Sequence, residues 1–329
     1  MFEEIRYEIN AVEIDRCKNI GLTSMMKGSA SIDAARAHKL ENAGWSPVSE
    51  NPVIADDDAG GNFDVYLPLN MILGFAEDYK KVIVNVKHEL ILTRARSDLN
   101  AIIQEAPAAG QAAEAFKITI SKIEWCMPYV HLSDQYKIQQ LKYIESNPAI
   151  KIPYRSWCMY EYPALPPSRQ HVWSVKTSSQ MEKPRFVILG FQTNRKLSSL
   201  RNASLFDHVN ITNARLFLNS QYYPYGNMNV DFTQNQYSIL FEMYANFQTE
   251  YYKKNSKPLL SRADFKNYMP LIIIDCSKQN ESLKNAPVDV RLEFEASAPF
   301  PPQTAAYCLI INDRIMEYKP ISGEVRKAT

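Results

Sequence analysis

Residues 288–296 read Val-Asp-Val-Arg-Leu-Glu-Phe-Glu-Ala, an unbroken alternation of apolar and charged side chains. A period of two puts Val288, Val290, Leu292 and Phe294 on one face of an extended strand and the charges on the other. Such a segment needs a sheet with one dry and one wet face. The pattern recurs at Phe63-Val65-Leu67-Leu69, at Phe116-Ile118-Ile120 and at Ala214-Leu216-Leu218. Ile5-Tyr7-Ile9 and Val12-Ile14 alternate on either side of Asn10-Ala11, which predicts a hairpin. Continuous apolar runs at 186–189, 271–274 and 309–311 suit strands covered on both faces. The 19 Tyr and 14 Phe favour pleated surfaces, and the 19 Pro fall mostly between apolar runs, where they end strands. The chain therefore reads as mainly β, a sandwich or jelly roll.

Helices are few. Thr233 and Gln236 have capping-box spacing, and Tyr237, Leu240, Phe241, Tyr244, Phe247 and Tyr251 share a helical face, which predicts a helix over 234–252. A second is predicted over 133–145, with Ile138, Leu141 and Ile144 inward. Shorter ones are predicted after Ser261 and over 71–78. Three prolines in Tyr162-Pro163-Ala164-Leu165-Pro166-Pro167-Ser168 cannot sit inside a sheet, so the predicted boundary between a first unit, 1–165, and a second, 166–329, lies there. Residues 46–61 and 105–115 read as surface loops.

The search for chemistry yields little. The 37 basic and 36 acidic side chains leave a net charge of +1, which gives no long-range attraction to nucleic acid or to an acidic membrane. Nucleotide-binding, zinc-protease and nucleophile-elbow motifs are missing. His38, His88, His131, His171 and His208 are scattered without helical partners. Cys17, Cys126, Cys158, Cys276 and Cys308 are widely spaced, so they read as reduced thiols rather than a zinc set. Cys276 at a strand end reads as a small core residue, not a nucleophile. Asp56-Asp57-Asp58 lacks the alternating ligands of a calcium loop and reads as a solvated acidic turn. Arg94-Arg96, Lys80-Lys81 and Arg326-Lys327 are too short to be phosphate-binding tracts. Trp125 and Trp157 stand in apolar strand contexts and are expected in the core. No run of 18 apolar residues suggests a membrane span, and the acidic, alternating N-terminus does not read as a signal peptide. No catalytic residue, cofactor or metal is expected. Tyr222, Tyr223 and Tyr225, in an aromatic turn with no Lys or Arg beside it in sequence, are the candidate interface residues.

Glu182 through Thr193, Phe206-Asp207-His208, Asn219 through Tyr225, Asp275 through Glu281 and Pro287 through Phe294 resemble a set of arthropod proteins. Those proteins are similar to double jelly-roll major capsid proteins of polinton-like and adintovirus-like elements integrated in animal genomes. The resemblance covers nearly the whole chain and is strongest from about Leu67 onward. It implies two tandem jelly-roll sandwiches with a few crossover helices. It also implies homotrimers of pseudo-hexagonal outline that contact one another and minor capsid or penton proteins, with no catalytic residues. A virion location follows if the gene is viral, and an intracellular, non-secreted one otherwise. The relatives carry a further stretch before the segment matching Phe2 through Asn10, so the first jelly roll is expected to lack its opening strands.

Two other classes compete. A carbohydrate-binding or adhesive β-sandwich needs exposed Trp or Tyr on a concave face. A cupin-like metal enzyme needs two His and a carboxylate brought together.

Overall fold

The computed structural model describes residues 1–46, 61–104, 106–107, 111–176, 183–279 and 287–328. The acidic turn Asp56–Asp58 and most of the loop around it lie outside these residues.

Three sheets account for the architecture. Sheet A holds β1 (Phe2–Ile9), β2 (Val12–Lys18) and β3 (His88–Arg94) in the order β2-β1-β3. Asn10 and Ala11 both adopt positive φ, 48° and 61°, the turn that matches the twist of a tight hairpin. Sheet B is built on the long strand β11 (Thr304–Tyr318), which pairs with β4 (Ile150–Tyr162) over thirteen residues. β11 also pairs with β6 (Lys183–Thr193) and, beyond it, with β12 (Val325–Ala328); β9 (Ile272–Asp275) extends the sheet from β6. Sheet C has the order β5 (Gln170–Lys176), β10 (Val290–Ala296), β7 (Ile211–Leu218), β8 (Gln221–Tyr223). All neighbouring strands are antiparallel.

Strand β6 shows why its run 186–189 is apolar throughout. Its odd residues face sheet C, where the Phe191 ring lies 5.2 Å from Phe294 and 5.5 Å from Phe300. Its even residues face the helix α5 (Ser238–Tyr252), with Phe186 5.2 Å from Phe247. Both faces are dry, so alternation would be penalised there. In β10 the alternation survives: Val290, Leu292 and Phe294 are buried and Arg291 and Glu295 exposed.

Two large apolar clusters result, beside a small one in which Leu40 of α2 (Ala34–Leu40) packs with Ile32 and Trp45. The larger joins sheets B and C, α5, α6 (Arg262–Tyr268) and part of α1 (Ile20–Ser31). The other joins sheet A, α3 (Gly74–Asp78), Ile152 and Tyr154 of β4, and Met316 and Tyr318 of β11. Strands β4 and β11 thus run through both. The free edge of β4 is managed locally. Arg155 N–H turns away from β11 and donates to Asp78, so Pro153, two residues earlier, has its missing N–H on the same unladdered side.

Several sequence expectations fail for physical reasons. Residues 63–69 and 116–120 alternate but form no strand; among the described residues no strand pairs with them, and Tyr66 N–H donates to Asn42 O instead. The long helix begins at Ser238, not 234, because Gln236 N–H donates to Asp231 O in a turn and Thr233 turns its hydroxyl to Asp231 instead of capping. Helix α4 (Asp134–Glu145) forms where expected, yet no residue of it is buried, and Ile138 and Leu141 face outward. The short helices at 262–268 and 74–78 form; Ser261 caps the former through Asp264 N–H. Trp157 is buried, but Trp125 is 37% exposed.

Candidate interaction surfaces

The aromatic turn is set by the β7–β8 hairpin. Asn219 takes the left-handed turn position, φ 54°, and its side chain ties the turn to the chain before β10 by accepting Asp289 N–H. Register then places Tyr223 opposite Leu216 and Tyr222 opposite Phe217. Tyr223 therefore goes into the core, and burial with Tyr225 beside it pushes its hydroxyl up to about 12. Tyr222 and Tyr225 stay outside, 38% and 73% exposed, with ring centres 6.1 Å apart. The turn is not free of cations. Arg215 stacks 5.7 Å over Tyr222 and donates to Asn227, and Arg291 lies 4.3 Å over Phe217. The β7–β8 hairpin brings in Arg215, and the pairing of β10 with β7 brings in the distant Arg291. The outer face of sheet C therefore carries an aromatic row edged by two guanidinium groups.

A second exposed set lies between residues 123 and 143. Ile123, Trp125, Tyr129 and Val130, then Tyr136, Ile138, Leu141 and Tyr143 on α4, are all exposed, Tyr129 at 82%. Ile138 and Leu141 lie on one side of α4 and Tyr136 and Tyr143 on the other, so the helix is apolar on two sides.

The buried groups are structural. Lys27 and Glu77 form an ion pair where α1, α3 and α5 meet β4. Tyr251 and Tyr252 hydroxyls donate to the Glu77 carboxylate at 2.7 and 2.5 Å, and the Lys27 ammonium lies 4.6 Å from the Trp157 ring. Burial pulls the Lys27 ammonium down to about 8 against the pull of Glu77. At Glu77 burial pushes up, but Lys27 and the two tyrosine hydroxyls outweigh it and leave the carboxyl below its ordinary value. Desolvation wins on one partner and pairing on the other; both outcomes keep the pair charged at neutral pH. Beside it Asp78 accepts from Arg155 Nε at 2.9 Å, and Arg155 lies 3.7 Å over the Tyr251 ring.

The remaining candidates find separate, ordinary partners. His88 bonds Tyr7 Oη, His171 bonds Ser168 Oγ, and His38 bonds Glu41. The Cys276 thiol is buried against Pro184 O and pushed up by that burial, the opposite of an activated nucleophile. Arg94 binds Asp98, Lys81 binds Lys151 O, and Lys327 binds Glu13. Among the described residues Cys17, Cys126, Cys158, Cys276 and Cys308 form no disulfide. Among the described residues no three His, Cys, Asp or Glu side chains cluster to hold a metal, and no helix is long and apolar enough to cross a membrane.

The comparisons agree with the layered geometry. No curated protein matches the sequence. The structure of PBCV-1 VP54 fitted into a cryo-EM reconstruction of the virophage Sputnik matches this whole chain and 83% of its own, with a TM-score of 0.51 and 11% identity. A chain of the quasi-atomic PBCV-1 virus capsid matches to the same extent, with a TM-score of 0.50 and 10% identity. At such identity the likeness is one of fold. The sequence itself matches the double jelly roll-like domain over residues 1–316, and the chain belongs to that family.

Proposed function

We propose that the chain is a structural shell protein, a major capsid protein of a polinton-like or adintovirus-like element or its endogenised or domesticated descendant, and not an enzyme. The observation that carries this reading is the whole-length match to a capsid-protein fold. The outward aromatic and apolar faces support it, since a shell protein works through surfaces that meet copies of itself. In this reading the first jelly roll comprises 1–165 and the second 166–329, with β4 and β11 lending residues to both cores. Three copies associate around a pseudo-hexagonal outline, Tyr222 and Tyr225 lie in a contact between copies, and Tyr223 anchors the turn from inside. Trimers then meet one another and minor capsid or penton proteins, and the location is the virion if the gene is viral, the cell interior otherwise.

Sizing with light scattering tests it. The expected species is three times the 37.7 kDa chain, with particles under some solution condition. A monomer that persists at micromolar concentration and never assembles would overturn it. The aromatic row beside Arg215 and Arg291 also suits a flat sugar ring, so binding on a glycan array by that face would favour the adhesive reading instead.

A further inference from the structure

The segment 116–125, Phe-Lys-Ile-Thr-Ile-Ser-Lys-Ile-Glu-Trp, has a strand's alternation but pairs with nothing among the described residues. Among the described residues strand β3 pairs only with β1, so its other edge carries unladdered backbone groups. The two lie side by side. Arg94 Nη2 donates to Ile118 O at 3.3 Å, and Ile118 N–H donates to Asp98 Oδ2 at 3.0 Å. Seven residues on, the Trp125 ring meets Tyr7 edge-on at 6.5 Å, and Tyr7 pairs with Leu90. The segment therefore runs antiparallel to β3, Ile118 near its end and Trp125 toward its start.

The alternation slips once: Phe116, Ile118 and Ile120 are followed by Ile123 and Trp125. One extra residue at Ser121-Lys122 is what a β-bulge absorbs. With it, Ile120 falls beside Leu92, Ile123 beside Leu90 and Trp125 beside His88. Those three already pair with Ile5, Tyr7 and Ile9, and Leu90 and Leu92 are half-buried against the sheet A core. The slip thus continues three existing cross-strand rows, whereas without it Lys122 and Glu124 would face the core.

We propose that residues 116–125 form a strap that closes on the free edge of β3 as a bulged fourth strand of sheet A. Closed, it covers the Leu90–Leu92 side chains and guards an edge that would otherwise accept a strand from another copy. Open, as in this structure, it leaves Ile123 58% exposed and the edge available.

Leu92→Cys/Ile120→Cys in a Cys126→Ser chain tests the register. Mild oxidation should give an intrachain disulfide by peptide mapping, while His88→Cys/Ile120→Cys should not. Equal linking in both pairs, or linking only between chains, would overturn the proposal. Amide hydrogen exchange on the unsubstituted chain, which needs no engineered cysteine, should show protection of at least ~10-fold at alternate residues of 116–125, opposite β3. Uniformly fast exchange there would overturn it whether or not the chain assembles. Ile120→Pro should hold the strap open and raise concentration-dependent association; unchanged association would remove the guarding role.

Discussion

Gly74→Ala sets two opposite effects against each other at one atom. Gly74 opens α3, where alanine is the better helix former by up to ~1 kcal/mol. A Cβ there, however, would lie 1.9 Å from the Arg155 carbonyl oxygen and 3.0 Å from Trp157 Nε1. Carbon–oxygen contacts settle at about 3.3–3.6 Å, so α3 must retreat by more than an ångström. That retreat strains what α3 holds: Asp78 accepting Arg155 N–H at 2.8 Å and Nε at 2.9 Å, and Phe75 N–H donating to the buried Asp15 carboxylate at 2.8 Å. Losing two bonds to charged groups costs about 3–6 kcal/mol, which outweighs the helix gain several-fold. We expect a net destabilisation of about 2–5 kcal/mol, since partial relaxation recovers some contacts. Urea unfolding followed by tryptophan fluorescence should show a lower midpoint with an unchanged slope. Gly21→Ala is the control. It lies in α1 with no atom within 4 Å of the added Cβ, so it should leave the midpoint unchanged or raise it slightly. If both substitutions moved the midpoint alike, the close seating of α3 on β4 would be wrong.

Other outcomes follow from the same geometry. Ala11→Gly relieves a left-handed alanine in the first hairpin and should stabilise the fold by about 0.5–1 kcal/mol, read in the same urea assay. Lys27→Met leaves Glu77 buried without its cation and should cost about 3–5 kcal/mol. Glu77 titrates below its unfolded value of 4.5, so its contribution is full above that pH and falls away as acid passes its folded value; Glu77→Gln should flatten that part of a stability–pH curve. Tyr225→Ala should change folding stability by less than about 0.5 kcal/mol but weaken association seen by light scattering.

What sequence could and could not reveal divides by the range of the contact. The first hairpin, β7 and β10 were legible because alternation and turn chemistry lie within ten residues of one another. The Lys27–Glu77 pair was not, because its partners are fifty residues apart and no local pattern marks either one. Arg291 was invisible beside Tyr222 for the same reason, since only the β10-β7-β8 register brings it in; Arg215 is seven residues from Tyr222 and meets it through the short β7–β8 hairpin. Asparagine carries most of the turns. Of fourteen non-glycine residues at positive φ among the described residues, nine are asparagine, whose short polar side chain tolerates the left-handed region.

Helix α4 and the 116–125 strap mark the deeper limit. The apolar spacing predicts a helix over 133–145 with Ile138, Leu141 and Ile144 inward, and alternation at 116–120 predicts a strand. Periodicity specifies the geometry of an element and the existence of an apolar face; it does not say what covers that face. In β10 the cover is β6 and the loop at Phe300, within the chain. For α4 none of its residues is buried, and the strap stands beside an edge it has not yet joined. An apolar face on a soluble surface is costly to leave wet, at roughly 25 cal/mol for each Å² that could be buried. The strap can recover that free energy within the chain by closing on β3. No described element buries α4, and in the assembly proposed above its cover comes from another copy.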